Sequence, residues 1–110
     1  MAEKAEYPQR SQLIGAWRWV NTFGGFAGTT TPETAGYTET MVLTATGGYQ
    51  LYRDDSLAVS GAHSYIDDRG LLIIRAQSRS EYSVSIAGDT LKMYIINVLD
   101  GYSHTYVRSQ

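Results

Sequence analysis

Leu13-Ile14-Gly15-Ala16-Trp17-Arg18-Trp19-Val20-Asn21-Thr22-Phe23 is the stretch on which the reading of this chain turns. Aromatic and β-branched residues dominate it, and Gly15, Val20 and Thr22 would all weaken a helix. Side chains alternate along a strand, so one orientation settles the others. With Trp17 turned inward, Gly15, Trp19, Asn21 and Phe23 share its face, and Arg18 and Thr22 face water. The stretch is expected to be a strand with one dry side.

Similar short blocks follow at 37–45, 49–54, 57–66, 71–76, 80–87, 90–98 and 102–108. Gly47-Gly48, Asp54-Asp55, Asp67-Asp68-Arg69-Gly70, Gly88-Asp89 and Asp100-Gly101 separate them. Gly, Asn and Asp tolerate the positive φ that tight hairpins need. Eight strands at this spacing predict an all-β domain, a meander closed into a barrel or a sandwich. One connection is long: residues 24–36 carry four glycines and no periodicity. They are expected to be an irregular lid or surface connection, with Phe26 as their main apolar anchor. Residues 1–12 are charged and polar without period. They are expected to be a flexible leader, and the domain is expected to span 13–110.

The 110 residues suffice for one domain. Cysteine is absent, which excludes disulfides, thiolate metal sites and cysteine nucleophiles. A net charge of −2 gives no electrostatic footprint for nucleic acid. No apolar run approaches the roughly 18 residues of a membrane helix. Met1-Ala2-Glu3-Lys4-Ala5-Glu6 has no apolar signal core, so an exported form would already have lost its signal. Nucleophile elbows, phosphate-cradling loops and dinucleotide fingerprints are missing.

Gly15-Ala16-Trp17 at the start of the first strand and Tyr106-Val107-Arg108 at the end of the last resemble the calycin superfamily. The similarity is greatest to small bacterial lipocalin-like proteins. Leu43 to Tyr49, Ser60-Gly61-Ala62-His63-Ser64, Gly88-Asp89-Thr90-Leu91 and Asp100 to Tyr106 extend the likeness. The chain departs from that pattern in being shorter than an animal lipocalin and in carrying His63 where an aromatic residue is expected. The resemblance implies an eight-stranded antiparallel up-and-down β-barrel. It implies a structural floor in which Arg108 lies across Trp17, and a periplasmic, cell-surface or secreted setting. Strand arithmetic agrees about the floor, because an even-stranded meander brings its two ends together.

Inside such a barrel, strand parity separates an apolar floor from a more polar rim. Trp19, Asn21, Tyr37, Glu39, Met41, Arg53, His63, Tyr82, Asn97, Tyr102 and His104 are the candidate ligand-binding residues. A small barrel has room for side chains or one small ligand. The expected function is non-enzymatic binding of a small apolar or amphipathic molecule, with Arg53, Glu39, Asn97 and His104 orienting its polar head. Two alternatives remain: a filled barrel serving as an interaction module, and a small isomerase or cyclase pairing His104 with Glu39 or Tyr102. His63 and His104, with Glu39 the one addition, fall short of a metal ligand set, and no cofactor is expected.

Overall fold

Closure of the barrel rests on β1 (Gly15–Phe23), which bonds to a neighbour along both edges. A computed structural model describes residues 7–24, 28–98 and 101–109. In it β1 is followed by β2 (Thr29–Thr30), β3 (Glu39–Leu43), β4 (Gly48–Arg53), β5 (Ser56–Ile66) and β6 (Leu71–Arg75). The chain continues through β7 (Arg79–Ala87), β8 (Thr90–Ile95) and β9 (Ser103–Arg108). Each strand from β3 onward pairs antiparallel with the next, and β1 joins β3 to β9. The result is a closed eight-stranded antiparallel barrel, with β2 a short extra strand on the upper half of β1.

Two single-turn helices stand where sequence reading expected none. Helix α1 (Arg10–Leu13) lies partly in the segment expected to be loose. Within that segment Pro8 is buried, and its carbonyl accepts a hydrogen bond from the Tyr65 hydroxyl at 2.6 Å, while the other described residues before Leu13 are exposed. Leu13 is fully buried and belongs to the core, not to the first strand. Helix α2 (Pro32–Ala35) occupies the stretch expected to be irregular. Its signals were present: Thr31 caps the Thr34 amide, Pro32 opens the first turn, and Gly36 closes it at φ +86°. Phe26 lies outside the described residues.

Trp17, Leu13, Met41, Leu43, Leu72 and Leu91 are the largest fully buried side chains. At the floor the Arg108 guanidinium sits 3.9 Å over the Trp17 ring. It donates to the carbonyls of Ile14 at 3.0 Å and Gln12 at 2.8 Å, and the Trp17 indole donates to Leu13 at 2.9 Å. Gly15 is required here, because a Cβ would lie 2.9 Å from Arg108 Nη1 and the backbone holds φ +130°. Cation–π contact and charge-assisted bonds thus tie the last strand to the turn that precedes the first.

The alternation in β1 breaks at Val20. Trp19 pairs with Tyr106 and Asn21 with Thr105, so Val20 is an extra, bulged residue. Beyond it every side chain swaps face. Thr22 turns in beside His104, while Asn21 and Phe23 turn out, with Phe23 61% exposed. That reverses the expected orientation of all three.

Candidate functional site

Above the floor the barrel holds a cavity of about 330 Å³. Its apolar walls are Met41, Leu51, Ile74 and Met93, one from each of β3, β4, β6 and β8. Trp19, Tyr37, Tyr49, Tyr82 and Tyr106 supply the aromatic surface, and Thr22, Thr30, Glu39 and His104 the smaller polar groups.

One side of the cavity is a layered stack. Trp19 and Tyr37 lie nearly parallel, with ring centroids 5.9 Å apart and 23° between planes. Arg53 covers the Tyr37 ring at 4.1 Å and donates to Glu39 Oε2 at 2.8 Å. Cross-strand pairing of Glu39 with Arg53 sets this geometry at the rim ends of β3 and β4. The arginine side chain stays 46% exposed, whereas that of Glu39 is only 13% exposed. The carboxylate therefore belongs to the cavity and the guanidinium to the outside.

From Trp19 a hydrogen-bonded relay, made possible by the Val20 bulge, leads to His104. The Trp19 indole N–H donates to Thr22 Oγ1 at 2.9 Å, and that oxygen lies 2.7 Å from His104 Nδ1. Tyr82 meets the imidazole edge-on, with ring centroids 6.0 Å apart. Burial pushes His104 below its ordinary pKa of 6.5, so the ring is neutral at pH 7. Burial also raises the phenols: Tyr49 reaches about 12, helped by neighbouring Tyr82 and Glu39, and Tyr106 is pushed up further. Glu39 thus faces phenols that keep their protons and an imidazole that lacks a charge.

The shift at His104 has a consequence for stability. As pH falls, the unfolded chain takes up the proton before the folded one. The contribution is complete above the unfolded pKa and is lost as pH drops from there toward the lower folded value. Urea midpoints should therefore fall as pH drops below the ordinary histidine value of 6.5. His104→Phe should flatten that part of the profile, and an unchanged slope would show that another group causes it.

Of the expected ligand-binding residues, Trp19, Tyr37, Glu39, Met41, Tyr82 and His104 line the cavity. Asn21 does not, because the bulge turns it out. Arg53 stands at the rim and acts on Glu39 from outside. Asn97 lies past the end of β8, where the chain has left the strand at φ +63°; it is exposed and its amide reaches Glu81 at 3.4 Å. Tyr102 precedes β9 and is 44% exposed. His63 is buried toward the floor end, where Nδ1 donates to the Gly48 carbonyl at 2.8 Å and its backbone amide to Gly47 at 2.8 Å. It clasps the β3–β4 turn instead of lining the cavity.

Thr22 and Thr30 were missed for the cavity wall. The bulge hid the first, and the second sits on a strand of only two residues. Tyr49, Leu51, Ile74, Met93 and Tyr106 carry the inward parity expected of core residues, and the cavity simply reaches them. Among the described residues, no three His, Asp or Glu side chains converge as a metal site would need. No helix among them is long and apolar enough to cross a membrane.

No protein-family model matches the chain, and no curated protein does. Solved structures do. Fatty-acid-binding protein 1 of Echinococcus granulosus superposes with a TM-score of 0.58 at 11% identity, over 91% of this chain and 99% of that one. The fluorescent protein UnaG gives 0.54 at 9% identity, over 92% and 100%. Both are calycin-superfamily barrels, and at such identities the likeness is one of fold. The chain therefore shares the fold of these structures, a closed eight-stranded antiparallel barrel.

Proposed function

We propose that the protein binds a small, largely apolar molecule in the barrel cavity and carries out no chemistry on it. The cavity is the observation that supports this reading over a filled interaction barrel. Its volume of about 330 Å³ falls at the small end of the range for ligand sites, roughly 300–1,000 Å³. Its walls combine apolar surface with a few convergent polar groups, the usual division between affinity and orientation. The solved neighbours named for fatty-acid binding and for fluorescence have barrels of the same kind, which agrees with this use. An exported setting, implied by the lipocalin-like resemblance, belongs to the same proposal.

Titration with a neutral solvatochromic dye such as Nile red tests the reading, supported by native mass spectrometry for a co-purifying small molecule. Wild type should bind the dye with a blue-shifted emission. Ile74→Trp places an indole in the cavity and should abolish that signal while the protein remains folded. Equal dye uptake by the filled variant would place binding elsewhere on the surface.

His104→Phe gives a finer result. The substitution keeps an aromatic ring of similar size; the Thr22 hydroxyl retains its bond from Trp19 and loses only its partner at Nδ1. Stability should change by less than about 1.5 kcal/mol. Affinity for ligands whose polar group reaches the imidazole should fall about tenfold, the equivalent of one net hydrogen bond. A large loss of stability with unchanged affinity would make His104 a core histidine.

A further inference from the structure

We infer that the cavity discriminates by charge, and that its ligand is a hydrophobic amine, with the ammonium beside Glu39 and the apolar part among Met41, Leu51, Ile74 and Met93. This inference rests on the binding reading above and adds the ligand's chemical class.

The argument begins with what the wall offers an ionic head. Among the described residues lining the cavity there is no lysine or arginine, and there is one carboxylate, Glu39. A carboxylate ligand would lose its water and meet another carboxylate whose cationic partner, Arg53, stands at the rim outside the lining, an arrangement disfavoured in a low-dielectric site. Burial disfavours the charged form of His104, which makes it a poor substitute for a resident cation. Phenols that stay protonated can donate hydrogen bonds, but they carry no positive charge to balance an anion.

An ammonium finds the opposite conditions. Glu39 lies at the rim end of β3, one strand position pair above Met41, so a bound head would stay near the mouth while the tail extends inward. Trp19 lines the same region, and an indole face attracts cations, whereas the Tyr37 ring is already engaged by Trp19 and Arg53. Arg53 does not cancel this preference. It engages Glu39 through Oε2, lies outside the cavity wall and remains half exposed, so solvent screens it more than it screens the buried carboxylate. The stack of Arg53 on Tyr37 and Tyr37 on Trp19 also holds the carboxylate's strand end in register.

Three probes of equal chain length separate the possibilities: decylamine, decanol and decanoate, each titrated at pH 7 below its micelle concentration and read by displacement of Nile red. Decylamine should bind at least tenfold more tightly than decanoate, with decanol between them. Glu39→Gln should shrink the amine-to-carboxylate ratio about tenfold. Arg53→Gln leaves the carboxylate in place without its outside partner and should widen the ratio. Because Arg53 is half exposed, this second variant keeps the test intact if Glu39→Gln fails to fold. Decanoate binding as tightly as decylamine, or a ratio unmoved by both variants, would overturn the inference while leaving the binding reading standing. Uptake of none of the three, together with no dye uptake, would overturn the binding reading itself.

Discussion

Trp17→Ala is expected to cost about 3–5 kcal/mol of folding stability, read as a lower urea midpoint with an unchanged slope. Trp17 is fully buried, and the substitution would leave a cavity under the barrel floor. The loss goes beyond packing. The Leu13 carbonyl would lose its indole donor, and the Arg108 guanidinium would lose the ring beneath it. Trp17→Phe keeps a ring for the guanidinium and should recover much of the loss. A cost below about 1 kcal/mol for the alanine variant would mean that the floor is not a cooperative part of the fold.

Leu13→Ala should cost about 2–5 kcal/mol, although the residue precedes the barrel strands. It is fully buried at the end of α1, and its neighbours Gln12 and Ile14 supply the carbonyls that Arg108 holds. Loosening it should loosen the contact that joins the two ends of the barrel. Leu57→Ala is the matched control, since Leu57 is 53% exposed near the tip of the β4–β5 hairpin. Its effect should stay within about 0.5 kcal/mol. Equal effects at the two sites would show that α1 does not plug the floor.

These two residues also mark where sequence reading succeeds and where it stops. Trp17 and Arg108 are legible because alternation and strand number are global properties of a meander. An even number of strands returns the chain to its starting end whatever the loops do. Leu13 is not legible in that way, since a single-turn helix has no period to detect. Its burial comes from core residues of distant strands, and its neighbours Gln12 and Ile14 are held by Arg108 from the far end of the chain. The helix in 24–36 carried local signals in Thr31, Pro32 and Gly36, and four glycines masked them.

For the candidate site the division is just as physical. Parity placed Trp19, Glu39, Met41, Tyr82 and His104 on the inner face, and they do line the cavity. Parity fails wherever the ladder is interrupted, because it counts residues and a bulge adds one without advancing the register. Asn21 and Thr22 exchange roles for that reason alone. Asn97 and Tyr102 fail differently, since a strand's alternation ends with its hydrogen bonds and β8 stops at Ile95. By itself the sequence determined the eight main strands, which follow from short-range pattern, while closure into a barrel with Arg108 across Trp17 was what the family resemblance implied and strand number agreed with. Only the tertiary structure decided the cavity, the Thr22–His104 bond and the inward placement of Glu39 with Arg53 outside. Each depends on distances between strands far apart in the chain, and no local pattern encodes those distances.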